Sequence, residues 1–598
     1  MIEITHDVAG KSRRIFVPEE PEELGEFMRW IEPLYSTPVA VDTETTGLDI
    51  FSDGYRVRTI QFGTTTEAWV IPIELGDDFR EAGVSALTRL DRMIFQNAAF
   101  DVISLRQALG VSLDWDRILD TKILAHLVDP RQTSEGGPGL SLADLTRYYI
   151  DAQVADDVKD SIKTLAAEAG TTKAEVFKTI DLWNPVYLLY AGMDVILTAL
   201  LSEALLPLVP VPSRGLVRIE HDLARICAEM EFNGFLLDVE YAHKFAAELE
   251  ETRTHYEKVA EDLGVENVNS TDQVAAALIE RGVKITERTP SGKYKVDKKL
   301  LERLVAEGDP LAEAVSEAKK AKKWRATWVQ KFLDNRDPHD RCHATIQPLQ
   351  ARTGRMSITG IPAQTLPSGD WKVRRCFIAD PGYSLVSVDY QAQELRVLAA
   401  ISGDQNMQEA FATGADLHQM TADASGVDRS VGKTVNFAYV YGSGPKNIAE
   451  TCGISVEKAR EVIEGFERTY PGVKRLSDKL QRQARQFGYV QTGSGRRIPV
   501  DQQRPYAALN YVIQSTSRDI TAAALLRLDQ AGLTKYLRLP IHDEVLACVP
   551  EDQAEEYADQ IAELMKTDYM GVLIDTDAEV TGPSWGHSYA PDEIKDQI

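Results

Sequence analysis

The chain is short of cysteine and shows no pattern for using it. Cys227, Cys342, Cys376, Cys452 and Cys548 lie far apart, and no CxxC pair occurs. This excludes a disulfide framework and a structural zinc site, and it points to a reducing, intracellular setting. No run of about 18 apolar residues is present, so a membrane-spanning helix is not expected. The opening "MIEITHDVAGKSRR" lacks the apolar core of a signal peptide. Internal repeats and low-complexity tracts are missing too, which removes solenoids and disordered arrays. Positive charge is scarce: 66 Lys and Arg stand against 92 Asp and Glu, a net charge of −26. Taken over the whole chain, that charge argues against a nucleic-acid partner.

What is there reads as an ordinary globular protein. Hydrophobic residues make up 43% and charged residues 26%, and a length of 598 residues calls for several domains. The charge is unevenly spread. Between Glu317 and Arg355, ten Lys and Arg face four Asp and Glu, whereas after Val549 thirteen acids face two lysines. A local basic patch can grip phosphates in an acidic chain. A solvated helix face accounts for "AKKAKKWRATW" equally well.

Strand-like and helix-like segments alternate over the first two hundred residues, and helical patterns dominate from Leu140 to Leu206. The Pro-rich "PLVPVPSRG", Pro207 to Gly215, marks a domain boundary. From Leu216 to about Asp334 the pattern is almost wholly helical. Strands return in "RCFIADPGYSLVSVDY", helices over 404–488, and a hairpin in "GYVQTGSGRRIPV". A long helix, "ALNYVIQSTSRDITAAALLRLDQAGL", leads to the strand-like "LRLPIHDEVLACVP".

The N-terminal part places acids at suggestive positions. "AVDTETTGLD" carries Asp42 and Glu44 two apart, on one face of a strand. "NAAFD" puts Asp101 near a helix start, and "LLYAGMDVILTAL" puts Tyr190 and Asp194 on one helix face. Four carboxylates and a phenol suit a two-metal phosphodiesterase, in which the acids hold the ions and the phenol orients water. The ordered set DxE, NxxFD, YxxxD resembles the 3′–5′ proofreading exonucleases of the DEDD superfamily, tyrosine subtype. The resemblance spans roughly residues 30–205 and implies an RNase H-like fold.

A second set lies in the C-terminal half. "LVSVDYQAQELR" places Asp389 at a strand end, and "HDE" places Asp543 on another strand. Two such aspartates on neighbouring strands can clamp a metal pair for phosphoryl transfer; two unrelated buried acids are the alternative. Between them, in "DRSVGKTVNFAYVYGSG", Arg429, Lys433, Phe437 and Tyr441 recur every four residues along one helix stripe. Charge for phosphates and a ring for sugar or base suit a nucleoside triphosphate. A core aromatic stripe would explain Phe437 and Tyr441, but not Arg429 and Lys433.

Together these stretches resemble a family A DNA polymerase, of the DNA polymerase I type, over nearly the whole chain. "DYQAQELR" is similar to motif A, "RSVGKTVNFAYVYG" to motif B and "HDE" to motif C, alongside "EMEFNGFLLD", "RTGRMS" with "AQTLP", "DLHQMTA" and "NYVIQSTSRDI". The resemblance implies an α/β multidomain chain. An RNase H-like 3′–5′ exonuclease domain over 1–206 precedes a right-hand polymerase domain over 207–598. The thumb is expected at about 216–345, the palm at about 346–403 and 489–598, and the fingers at about 404–488.

The resemblance also supplies roles. Asp389, Asp543 and the Tyr390 carbonyl would bind the metal pair, with Glu544 nearby. Two Mg²⁺ ions are expected at each active site, with Mn²⁺ as a substitute. Arg429 and Lys433, helped by His418 and Arg374, would hold the triphosphate. Phe437 would stack on the incoming nucleotide, Tyr441 would close the pocket, and Glu394 would act as a steric gate against ribonucleotides. Arg355 and Gln514 would touch the primer–template minor groove. Lys319, Lys320, Lys322 and Lys323 would track duplex phosphates. Primer–template DNA and dNTPs are the expected partners of a monomer, with no membrane association.

Departures from the family pattern fall at Gln391, Ala392 and Gln393 of motif A, at Ala438 of motif B, and at Tyr506, where an arginine is usual. Phe437 implies discrimination against dideoxynucleotides, which a ddNTP/dNTP comparison with Phe437→Tyr tests. The 5′-nuclease of longer relatives and the extra loop by which a phage relative recruits thioredoxin are both expected to be missing. Processivity should then be modest or depend on another protein. The reading favours a phage replicative enzyme in the host cytoplasm over a bacterial repair polymerase. A single-subunit RNA polymerase conflicts with Glu394 and the exonuclease set. A decayed DNA-binding protein conflicts with the retained carboxylates, and an RNA-trimming exonuclease leaves the C-terminal two thirds without a purpose.

Overall fold

Short apolar runs with turn residues between them form the first sheet. The computed structural model describes residues 1–367 and 370–597. Strands β1 (Ile2–Val8), β2 (Lys11–Val17), β3 (Pro38–Thr45), β4 (Val57–Gly63), β5 (Glu67–Ile71), β6 (Arg92–Phe95) and β7 (Ile118–Asp120) join in the order β1-β2-β5-β4-β3-β6-β7. The strand bearing Asp42 and Glu44, β3, is inside the sheet, antiparallel to β4 and parallel to β6. Helices α1 (Ala98–Leu109), α2 (Thr121–Val128) and α3 (Pro185–Leu205) cover it, and an apolar cluster lies on each face. Pro185 takes the first helical position of α3, and the Asn184 side chain accepts from the Val186 and Tyr187 amides.

Helix α3 lies across β3, β4 and β5. Two glycines permit that approach: a Cβ on Gly192 would stand 2.4 Å from Ile15, and one on Gly63 would stand 2.7 Å from Val195. One expectation needs correcting here. Pro185–Leu208 is long and apolar enough to cross a membrane by composition, with a mean hydropathy of 1.6. Its apolarity has another cause, since 72% of that window is buried within the fold.

The helical stretch that follows contains α4 (Arg214–Asn233), α5 (Val239–Asp262) and α6 (Pro310–Trp324). It is less uniformly helical than the sequence implies. Gly234, at φ +56°, ends α4, and the chain then forms a short strand, Phe235–Leu237, paired with Arg341–Cys342 and Phe377–Ile378. Residues 283–297 lie outside helices and are closed by a bridge between Arg288 and Tyr294.

The polymerase-like half is built on a second sheet. Its elements are β8 (Tyr383–Tyr390), α7 (Gln393–Ser402), α8 (Arg429–Val440), α9 (Ala507–Gln530), β9 (Leu537–Ile541), β10 (Glu544–Pro550), α10 (Ala554–Met565) and β11 (Thr576–Gly582). The strands run antiparallel in the order β9-β10-β8-β11. Helix α10 packs on β11, β8 and β10, the strands β9 and β10 are buried on both faces, and the sheet carries its acids at one end. Asp543 corrects a second expectation. It sits not on a strand but, with His542, in the two-residue turn between β9 and β10. His542 adopts φ +58° there, as tight hairpin turns require.

Candidate active sites

The first site grows from β3 and α3. Carboxylate oxygens of Asp42, Glu44 and Asp194 all lie within 4.8 Å of one another. Asp101, on the first turn of α1, stands beside them but is held differently: it accepts from the Thr43 amide at 3.1 Å and the Thr43 hydroxyl at 2.7 Å. Burial and the charges of Asp101, Glu44 and Asp194 push Asp42 well above the usual carboxylate range. Burial raises Asp101 to about 7 despite the Thr43 bonds. Tyr190, one turn before Asp194, is also raised, by burial and then by the Asp194 charge. Like charges this close demand protons or cations. An all-oxygen donor set of this kind fits a hard divalent ion.

The second site forms where β8 meets the β9–β10 turn. Asp389 lies opposite Glu544 on β10 and opposite Asp577 on β11. The Tyr390 amide donates to the Asp543 carbonyl at 3.3 Å, which ties the two aspartate segments together. Packing around its carboxyl, with the Asp543 and Glu544 charges, raises Asp389 to about 7. Burial raises Asp543 and Glu544 as well. Glu544 accepts from the Ser387 hydroxyl at 2.6 Å. This donor set also fits divalent cations.

A cleft of about 340 Å³ runs from Asp543 to Arg355, Glu394, Phe437 and Tyr441. Glu394 pairs with Arg355 and accepts from the Tyr441 hydroxyl at 3.1 Å. Gln514 accepts from the Thr353 hydroxyl at 3.4 Å. The exposed Arg429 and Lys433 stand on the same helix as Phe437, and Tyr441 caps its end. Arg429 is paired with Asp416. His418 lies 5.8 Å from the Phe437 ring and within 3.0 Å of the Asn436 amide.

Arg374 lies on the wall of a second recess with Asp389, Asp543 and Glu544. It donates to the Pro367 and Asp370 carbonyls and lies 4.2 Å over the Tyr589 ring. On α6, Lys320, Lys322 and Lys323 are exposed and Lys319 is half-buried, which lowers its pKa. Lys320 and Lys323 lie 5.0 Å and 5.6 Å over Trp324 and Trp328.

Three participants escaped the sequence reading: Thr43, Ser387 and Asp577. Only Asp577 left a signal, in the alternating acids of "DTDAEV".

Comparison with known proteins agrees with both halves. The model for "3'-5' exonuclease" matches residues 18–210, and that for "DNA polymerase family A" matches 239–587. The DNA polymerase of Mycobacterium phage L5 is 55% identical over 595 residues, covering 99% of this chain and 100% of that protein. The DNA polymerase of Mycobacterium phage D29 is 51% identical over 610 residues, with coverage of 99% and 100%. In fold, the chain is similar to the POL domain of Pol1 from M. smegmatis, solved in complex with DNA primer-template and dNTP. That match has a TM-score of 0.74 at 24% identity and covers 95% of this chain and 99% of that one. With more than half its length in one family model and a full-length relative above half identity, the chain belongs to DNA polymerase family A and carries a 3′–5′ exonuclease domain ahead of its polymerase domain.

Proposed function

We propose that this chain replicates a phage genome by two-metal phosphoryl transfer at Asp389 and Asp543, and proofreads at Asp42, Glu44, Asp101 and Asp194. One observation carries the reading: two separate carboxylate clusters, each raised by burial and mutual repulsion, stand on two different sheets. Bound Mg²⁺, or Mn²⁺ in its place, would supply charge neutralisation for an attacking oxygen and a leaving group.

The chain's own groups do the rest. Asp389, Asp543 and the Tyr390 carbonyl would hold the ions, with Glu544 kept in place by Ser387. Arg429 and Lys433 receive the triphosphate, and Phe437 stacks against the nucleotide that enters the cleft. As the primer 3′-oxygen bonds to the α-phosphorus, pyrophosphate leaves toward the cationic end of α8. Glu394, fixed by Arg355 and Tyr441, crowds the sugar. In the exonuclease, Tyr190 orients water beside Asp194, and Thr43 fixes the Asp101 carboxylate. Primer–template DNA is the substrate of both sites.

The test is a labelled primer–template with Mg²⁺, with and without dNTPs. Asp543→Ala should cut extension by more than about a hundredfold and keep 3′ trimming, and Asp42→Ala should do the reverse. A wild-type chain that trims but never extends would sink the assignment.

A further inference from the structure

Three exonuclease-domain side chains reach across to one turn of the polymerase domain. The Lys122 ammonium donates to the Gln347 side chain at 2.6 Å. His126 Nε2 lies 2.9 Å from the Ala351 carbonyl. Burial holds the His126 pKa down at about 3, so the ring is neutral and Nε2 carries the donated proton. Glu135 pairs with Arg352 at 3.0 Å. Arg352 is itself buried, and its other arm meets Asp501 at 3.1 Å.

The turn they hold is tight. The Gly354 amide donates to the same Ala351 carbonyl at 2.8 Å, and Gly354 needs φ +78°. The next residue is Arg355, paired with Glu394, which accepts in turn from Tyr441. Helix α2, which carries Lys122 and His126, packs on α3, the helix of Tyr190 and Asp194. A continuous set of contacts therefore runs from the exonuclease helices through one turn to the nucleotide cleft.

We propose that Lys122, His126 and Glu135 of the exonuclease domain are positioning residues for sugar selection: by clamping residues 347–355 they fix Arg355 and, through it, Glu394. This rests on the reading of Glu394 as the gate against ribonucleotides. None of the three touches the nucleotide cleft, and none belongs to the trimming site. Losing the clamp lets Arg355 slacken its hold, so Glu394 tolerates a 2′-hydroxyl more readily. The physical requirement is a chain of packed and bonded groups whose arrangement biases the distant site.

The experiment measures kcat/KM for rNTP and dNTP in the full chain. Glu135→Gln and His126→Leu should raise the rNTP/dNTP ratio by about 3- to 10-fold, with single-strand trimming unchanged. His126→Gln, whose amide can still donate to Ala351, should restore most of the discrimination. Glu394→Ala is the reference. If it shifts the ratio while Glu135→Gln and His126→Leu do not, the positioning role is overturned. If Glu394→Ala leaves the ratio unmoved, the gate reading falls and the clamp proposal falls with it. Glu135 lies partly at the surface, so its variant carries the test even if His126→Leu fails to fold.

Discussion

Two residues beside the polymerase carboxylates hold left-handed backbone that favours glycine. Ala392 has φ +49° immediately before α7, the helix that presents Glu394, and His542 has φ +58° immediately before Asp543. Such conformations cost a residue with a Cβ, and they persist only where the surroundings enforce them. At Ala392 the strain turns the chain from the Asp389 strand into the Glu394 helix within three residues. Replacing it should therefore help the fold: Ala392→Gly is expected to add about 0.5–1 kcal/mol of stability, read as a higher urea midpoint at unchanged m-value. A lower midpoint would mean that the methyl group has a packing role that outweighs the strain.

Among the elements, α6 is where the basic-patch reading of an acidic chain can be tested. Its lysines gather on one helix, where the Lys320 and Lys323 ammonium groups lie over Trp324 and Trp328 and Lys320, Lys322 and Lys323 all remain exposed. A net charge of −26 is a property of the whole chain, whereas phosphate binding is decided over a few ångströms by local groups. If these lysines track the duplex, Lys320→Ala, Lys322→Ala and Lys323→Ala together should lower the slope of log K against log salt by about one for every phosphate left without its ammonium partner. Binding titrations from low to moderate salt would show it. An unchanged slope would return these lysines to the status of a solvated face.

Over the whole molecule, segments far apart in the polymerase domain are tied by charge as well as apolar packing. Glu220 of α4 is fully buried and pairs with Arg518 of α9 and with Arg496, in the turn of the hairpin formed by Tyr489–Gln491 and Arg497–Pro499; Arg496 also meets Asp519 at 2.9 Å. Burial alone would raise Glu220, but the Arg518 and Arg496 charges and hydrogen bonds overcome it and hold the carboxyl at about 2. A carboxyl depressed below its ordinary 4.5 stabilises the fold fully above that pH, and the contribution drains away as pH falls toward 2. Glu220→Gln leaves two arginines buried with too little counter-charge and should cost about 3 kcal/mol near neutral pH. Its melting temperature should also fall less steeply than the wild type's between pH 4.5 and 2. Parallel acid curves for the two proteins would exclude the network as a source of acid sensitivity.

The sequence by itself determined the parts of this protein that depend on neighbours in the chain. Asp42 and Glu44 share a strand face because strands repeat every two residues, and Tyr190 and Asp194 share a helix face because helices nearly repeat every four. The order of the motifs then carried the family, including its two-domain plan. Tertiary structure alone decided what depends on strand register and on which surfaces meet. It put Asp543 in a turn rather than on a strand, set Asp577 opposite Asp389, and gave Asp101 to Thr43. It broke the helical stretch after Gly234. It also made the apolar run at Pro185–Leu208 a core helix, and set Glu135 of one domain against Arg352 of the other. No local pattern encodes these pairings, because each joins residues far apart in the chain whose meeting is fixed only when the sheets close and the two domains pack together.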